Sequence, residues 1–446
     1  MKLKTVYICE KCGSQSPKWQ GRCSECDAWN SFYEDVIEKN PARSHQGIKQ
    51  DPVPISQTSK DHSRISTNIQ ELDRVLGGGI VEGSIILLSG EPGIGKSTLT
   101  LKICESLAQR KGGVLYVSGE ESSSQIALRA ARMKIKNENI SVLPETTLEN
   151  ILATVNDSKP GFVVIDSIQV MTSSSIPSLA GSVTQVRFCA ESLMHFAKNN
   201  NVPVAIIGHV TKDGNLAGPK VLEHLVDAVL LIEGERFQNF RIVRCTKNRF
   251  GSTNEIGLFE MNDEGLKEVE NASKLFLEGR KEGSFGSAIT ATVEGTRPLL
   301  IEVQALTNLS NFGYPKRAAS GFDINRLQLL IAVIQKHLGL NLTNQDVYIN
   351  VVGGFKLNDP ATDLAVVMAI ISSYKKEPLP PDAVYIGEVG LAGEMRNVTH
   401  LSKRIQESAK IGFKQIYAPK ISGHKSTAKI KLNEIRDIQE IMKSEK

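Results

Sequence analysis

The octapeptide Gly90-Glu91-Pro92-Gly93-Ile94-Gly95-Lys96-Ser97 limits the possible folds of this chain more than any other feature. It satisfies G-x-x-x-x-G-K-[ST] throughout, follows an apolar run (Ile85–Leu88) and precedes an amphipathic one (Leu99–Ala108). A strand, a glycine-rich loop and a helix in that order bring several backbone N–H groups to a helix N-terminus, where they bind phosphate. Lys96 is then expected to reach the β- and γ-phosphates of ATP, and the Ser97 hydroxyl to ligate Mg²⁺. The expected nucleotide contacts are Gly90, Glu91, Pro92, Gly93, Ile94, Gly95, Lys96, Ser97 and Thr98.

From about Ile65 to Leu266, short apolar runs alternate with longer amphipathic ones, the pattern of an α/β unit with a parallel sheet. Ile85–Leu88, Val114–Val117, Phe162–Ile165, Val204–Ile207 and Ala228–Ile232 read as its strands. Each is followed within two residues by Ser, Gly, His or Asp, where α/β folds place ligand-binding loops. The third ends in Asp166, a carboxylate suited to holding Mg²⁺ or its water. Glu120, after the second strand, is the expected base that orients an attacking water. Glu121 is its less favoured neighbour, and the alternative is a pair of solvated loop acids. His209 follows the fourth strand, where it is placed to sense a γ-phosphate, although a lone histidine is more often structural.

Cys9-x-x-Cys12 and Cys23-x-x-Cys26 have the spacing of a zinc ribbon or rubredoxin-like knuckle. Zn²⁺ takes four thiolates in a tetrahedron, and the metal supplies folding energy that so short a segment cannot obtain from its own core. Two disulfides or redox pairs are the alternative. A polar stretch with Pro41, Pro52 and Pro54 follows, and a second polar joint lies at Asn271–Phe285. The expected domains are residues 1–30 (four-cysteine finger), 31–62 (linker), 63–270 (ATPase), 271–285 (linker) and 286–446 (a second α+β domain). Helices are expected there at Arg326–Leu338, Asp363–Ser373 and Leu401–Lys410.

The chain has 446 residues, 40% hydrophobic and 23% charged, so two or three folded domains are expected rather than disorder. Its 53 Lys and Arg against 49 Asp and Glu leave +4, too small an excess to demonstrate a polyanionic partner. No apolar run approaches the roughly 18 residues that would span a bilayer. Three further cysteines (Cys104, Cys189, Cys245) are scattered singly, and the N-terminus lacks a signal-peptide pattern, so the expected compartment is the cytoplasm.

The order of these motifs is similar to the RecA-type ATPase core shared by DnaB-type helicases and KaiC-like proteins. Three further features narrow the match: the four-cysteine N-terminus, Glu71-Leu72-Asp73-Arg74-Val75-Leu76-Gly77-Gly78-Gly79, and Lys247-Asn248-Arg249-Phe250-Gly251. With them the whole chain resembles the bacterial RadA (Sms) family. The resemblance implies a hexameric, DNA-dependent ATPase in DNA repair. Such an enzyme binds single-stranded and branched DNA and drives branch migration alongside the RecA recombinase. It further implies that Lys247 and Arg249 reach a neighbouring subunit's γ-phosphate in trans; a hairpin with solvated charges is the alternative. DNA is expected at Thr172–Arg187 and Thr211–Lys220, with Arg187, Lys212 and Lys220 as cationic candidates.

Gly387-Glu388-Val389-Gly390-Leu391-Ala392-Gly393-Glu394 and the helix after it resemble the proteolytic domain of Lon. An ATP-dependent protease is therefore one alternative, and a KaiC-like signalling ATPase another. Lon needs a Ser–Lys dyad, yet this chain reads Asn358-Asp359-Pro360-Ala361-Thr362-Asp363, and Arg404 falls at the Lys position. Arginine cannot deprotonate near neutral pH, so it is no general base. The domain is expected to be a Lon protease-like fold without proteolysis, with Lys316, Arg317 and Arg326 as a basic cluster or a solvated rim.

Overall fold

The computed structural model describes residues 3–12, 14–38, 63–209, 219–234, 240–269, 271–281, 283–310, 314–420 and 430–444. The chain divides into two compact units, Met1–Glu268 and Val269–Lys446. Among the described residues no helix is long and apolar enough to cross a membrane.

The first unit opens with β1 (Leu3–Cys9), β2 (Gln15–Ser16) and β3 (Phe32–Glu38), a small antiparallel sheet in the order β2-β1-β3. After β4 (Arg64–Ile65), α1 (Gln70–Leu76) and β5 (Ile80–Val81) come the elements around the octapeptide. They are β6 (Ile85–Gly90), α2 (Lys96–Leu107), β7 (Val114–Ser118), α3 (Ser123–Arg132), β8 (Ile140–Pro144), α4 (Leu148–Ser158) and β9 (Phe162–Asp166). Then follow α5 (Val183–Asn200), β10 (Val204–His209), α6 (Pro219–Glu223), β11 (Ala228–Glu233), β12 (Phe240–Asn248), β13 (Ile256–Asn262) and β14 (Gly265–Glu268).

One sheet of nine strands, in the order β14-β13-β12-β11-β6-β10-β9-β7-β8, organises the unit. All five apolar runs expected as strands are strands of this sheet, and the central ones are covered on both faces. Continuous Val/Ile/Leu runs such as Phe162–Ile165, fully buried, are what two-sided burial demands. β7 and β9 pair in register from Val114↔Phe162 to Ser118↔Asp166, so Glu120 and Asp166 emerge at one edge. Local chemistry sets the helix starts: Ser122 and Gln125 form a reciprocal capping box on α3, and Ser182 caps α5.

The sheet is not wholly parallel as expected. β11, β12, β13 and β14 pair antiparallel, extending the parallel core by hairpins. In β12 Arg241, Val243 and Cys245 are buried and alternate with partly exposed neighbours, the period-two pattern of a strand covered on one face.

The second unit holds α7 (Ala272–Phe276), β15 (Ser287–Glu294), β16 (Arg297–Leu309), β17 (Arg317–Ser320), α8 (Ile324–Leu338), β18 (Gln345–Val351), α9 (Asp363–Lys375) and β19 (Ala383–Tyr385). β20 (Glu388–Val389), β21 (Met395–Arg396), α10 (Leu401–Ile411), β22 (Gln415–Ala418), β23 (Lys431–Glu434) and α11 (Ile438–Ser444) complete it. A four-stranded sheet (β15-β16-β18-β17) and a parallel three-stranded one (β19-β22-β23) carry the core. α9 packs on β15 and β16 and is apolar all round because it is buried along nearly its whole length. The segment 271–285, read as a joint, differs from that expectation: α7 lies in it, with Ala272 and Phe276 buried and Phe276 edge-on to Phe355.

Candidate nucleotide and metal sites

Backbone shape builds the phosphate cradle. Gly95 caps α2 at φ 116°, where a Cβ would stand 2.7 Å from the Met261 methyl, so only glycine fits. Gly119 serves a close approach instead, since a Cβ there would lie 2.3 Å from Val170. That contact lets the Gly119 N–H donate to Asp166 O at 2.8 Å and draws the ends of β7 and β9 together.

A cavity of about 430 Å³ lies over the cradle, lined by Gly93, Gly95, Lys96, Ser97, Thr98, Glu120, Asp166 and His209 among others. Lys96 is 4% exposed, and its Nζ donates to Gly90 O (2.9 Å) and Glu91 O (3.0 Å). Burial pushes its pKa down, opposed by the charges of Asp166 and Glu120. Asp166 is pushed up by burial, opposed by hydrogen bonds from the Tyr116 and Ser97 hydroxyls. Ser97 and Asp166 thus face each other, a hydroxyl and a carboxylate of the kind a Mg²⁺–nucleotide complex requires. A larger cavity of about 870 Å³, lined by Glu10, Tyr33 and residues of 172–185, has no cation in its wall and is unsuited to a polyphosphate.

Geometry separates the two acids. Ser118 Oγ accepts from the Glu121 N–H (3.1 Å) and donates to Glu121 O (2.7 Å), closing the turn that presents Glu120. Glu121 is held by Arg129 NH2 at 2.5 Å. Glu120 faces the cavity, accepts from Ser167 Oγ, and lies 3.4 Å from His209 Nε2, which itself makes no hydrogen bond.

Five residues at this site were not foreseen. Tyr116 and Ser167 hold the two acids; Arg129, Arg132 and Arg241 add cations to the cavity wall. One terminal nitrogen of Arg129 is buried without a partner, a donor turned to no protein acceptor. Arg241 Nε donates to Ile94 O at 3.0 Å and so pins the phosphate loop from β12. Arg129 and Arg132, the fourth-from-last and the last residues of α3, share its last turn, a signal visible only once the cavity is known.

Lys247 and Arg249 come together, but away from this cavity. Strand β12 ends at Asn248 and bulges at Thr246, so Arg249 lies just past the strand rather than on it. Lys247 Nζ donates to Glu223 O (2.5 Å) and both cations approach His224 O at 3.4 Å. Register places Asn248 beside Ala228 and Ala228 beside Ile86, four residues before Gly90. Four rises along the strand and two steps across the sheet put the pair about 16 Å from the phosphate loop, beyond the reach of a side chain.

The cysteines converge. All four Sγ atoms lie within 4.8 Å of one another, with Cys9–Cys26 at 3.6 Å and Cys12–Cys23 at 3.5 Å. Zn–S bonds of about 2.3 Å in a tetrahedron give sulfur–sulfur edges of about 3.8 Å, close to the two distances above, so the set is suited to Zn²⁺. Burial opposes ionisation of Cys23, but N–H groups of Glu25 and Cys26 bring its pKa to about 6, readying a thiolate for metal. Replacing Cys12 by Ser is expected to reduce bound zinc from one per chain to none while nucleotide binding persists, as read by a colorimetric zinc assay; retained zinc would contradict the four-thiolate site. On the knuckle, Arg22 pairs with Asp27 at 3.0 Å and lies over Trp29, so its charge is partly occupied.

Other cationic candidates fare unevenly. Arg187 pairs with Glu191 at 2.9 Å. Lys212 and the side chain of Lys220 lie outside the described residues. The basic cluster of the second unit is largely consumed internally: Arg317 donates to Leu342 O (2.8 Å) and Gln345 O, and Arg326 pairs with buried Asp363. Arg404 is 1% exposed, salt-bridged to Asp359 at 2.7 Å and hydrogen-bonded to Ala291 O and Thr399 O. Thr362 is fully buried, its hydroxyl donating to Asp359 O at 2.8 Å.

Comparison with known proteins agrees with this geometry. The description "Rubredoxin metal binding domain" matches residues 7–34, and "AAA domain" matches 50–215. The DNA repair protein RadA of Bacillus subtilis is 50% identical over 94% of this chain and 93% of its own length. The chain belongs to the RadA family. RadA of Listeria monocytogenes (49%) and of Streptococcus pyogenes serotype M6 (51%) match over the same shares of both chains. The chain therefore combines the family's zinc ribbon with its P-loop ATPase domain.

Proposed function

We propose that the chain is a DNA-dependent ATPase that moves single strands through branched recombination intermediates, working with a RecA recombinase as a hexameric ring. One observation carries the reading: Lys96, Ser97, Asp166 and Glu120 converge on a single cavity, while Lys247 and Arg249 stand together about 16 Å away. A chain that builds its nucleotide site and its cationic pair at separate places is completed by another copy.

Lys96, Ser97 and Asp166 would hold Mg²⁺-ATP, the bound ion neutralising charge that develops on the phosphates. The Lys96 ammonium, capped by two backbone carbonyls, exchanges them for phosphate oxygens without recruiting a new side chain. Glu120 Oε orients a water and takes its proton; Ser167, directly after β9, donates to that carboxylate, and His209, the last residue of β10, lies 3.4 Å from it. DNA bound after β9 would then act on the base through Ser167. The finger, expected to end at residue 30, runs on through β3 to Glu38, Asn271–Phe285 is partly helical, and the other domain limits are 63–270 and 286–446. We read the last as a Lon-like scaffold without proteolysis, because Arg404 is locked in an ion pair with Asp359 and the Thr362 hydroxyl is committed to Asp359 O.

A direct test uses three-strand intermediates assembled by RecA. Extension of the heteroduplex that requires both this protein and ATP hydrolysis is expected; DNA binding without ATP-dependent extension would contradict the motor.

A further inference from the structure

Arg249 would be a poor catalytic group if left to itself. Its side chain is 47% exposed and follows the last residue of β12, so a free guanidinium would sample many rotamers. Asp227 removes that freedom. Its side chain is 4% exposed, with Oδ1 3.3 Å from Arg249 NH1. Oδ2 accepts from the Ile85 N–H at 3.1 Å, the Asp227 N–H donates to Ile85 O at 2.9 Å, and Asp227 O accepts from the Arg249 N–H at 3.0 Å. Backbone and side chain are therefore fixed to the first residue of β6 at one end and to Arg249 at the other. The same carboxylate offsets the repulsion between Lys247 and Arg249, since it draws the Lys247 pKa up where burial and Arg249 push it down.

We infer that Asp227 is the positioning residue for Arg249, aiming the guanidinium at nucleotide held by a neighbouring copy. The inference rests on the trans reading of Arg249 given above. Because β6 runs from Ile85 to Gly90, the cradle and the finger of each chain are anchored on opposite ends of one strand. A ring of such chains holds a constant spacing between successive sites. Asp227 touches no nucleotide of its own; it acts through Arg249.

Asp227→Asn tests this, because an amide oxygen keeps the Ile85 bond while an NH₂ replaces the oxygen facing Arg249. The variant alone is expected to bind a fluorescent ADP analogue as wild type does and to lose roughly tenfold or more in turnover. Co-expressed with Lys96→Ala, which has an intact finger and a dead cradle, it is expected to regain activity. Random head-to-tail pairing makes about one junction in four productive, so roughly a quarter of wild-type turnover should return. Arg249→Ala with Lys96→Ala is the control mixture. Wild-type turnover by Asp227→Asn alone would overturn the inference. So would an inactive Asp227→Asn mixture beside an active control mixture, since Asp227 would then serve its own subunit while the trans reading stands. An inactive control mixture would overturn the trans reading itself, and this inference with it. Should Asn at 227 prevent folding, Asp227→Glu displaces the carboxylate by one methylene and is expected to give the same loss alone and the same recovery when mixed.

Discussion

Lys96→Ala is expected to abolish ATP hydrolysis, by about a thousandfold or more, equivalent to about 4 kcal/mol of lost transition-state stabilisation. Lys96 sits at the start of α2 inside the phosphate loop, a position the other cations on the wall do not share. The other cations on the wall are Arg129, Arg132 and Arg241; Arg129 is tied to Glu121 and Arg241 to the loop backbone. The fold should persist, because Lys96 bonds only to Gly90 O and Glu91 O, carbonyls at the mouth of a cavity that water can reach. Zinc content and far-ultraviolet dichroism should match the wild type. Unchanged turnover in this variant would refute the assignment of the phosphate loop.

Arg249→Ala is expected to leave nucleotide binding within about twofold of wild type and to reduce turnover by about 10³-fold or more, the range of arginine fingers. Distance divides the two effects: a residue about 16 Å from its own cradle cannot alter cis affinity, yet it can complete a neighbour's site. Turnover per chain should also rise with protein concentration in the wild type, since an isolated chain lacks the finger. Full activity of Arg249→Ala would remove the reason for assigning that residue to a neighbour.

The readable parts of the sequence were those where one short segment meets a strict physical demand. The octapeptide is such a segment, and so are the twin Cys-x-x-Cys pairs, whose four sulfurs gather within 4.8 Å of one another. Doubly buried strands such as Phe162–Ile165 announce themselves by unbroken apolar runs. The less readable parts depend on partners distant in the chain. Arg241 reaches Ile94 across 147 residues, and Tyr116 reaches Asp166 across 50. Nothing local distinguishes a tyrosine that orients a carboxylate from one that fills a core. Strand β12 alternates because one side of it is covered, and β13 and β14 are buried only over Ile256–Phe259 and Gly265–Leu266 before turning polar, so the α/β pattern gives out before the sheet does.

The basic cluster of the second unit teaches a related lesson. Lys316, Arg317 and Arg326 looked like surface for a polyanion because charge is visible in sequence while its partners are not. Arg326 proves to neutralise Asp363, the first residue of an almost wholly buried helix, and Arg317 caps carbonyls of Leu342 and Gln345. Arg404 goes further: a charge placed where a protease would need a lysine is instead enclosed, and its ion pair with Asp359 ties α10 to the segment that precedes α9. An enclosed guanidinium demands its partner, so losing Asp359 should destabilise the second unit by about 3 kcal/mol or more, seen as a lower unfolding midpoint in denaturant.

The most direct test of the central claim is ATP hydrolysis by the purified protein with and without single-stranded DNA, with Lys96→Ala as the blank. The account predicts that DNA stimulates turnover and that the stimulation weakens steeply as salt rises, because the contacts are to phosphates. Turnover indifferent to DNA at every salt concentration would contradict a DNA motor.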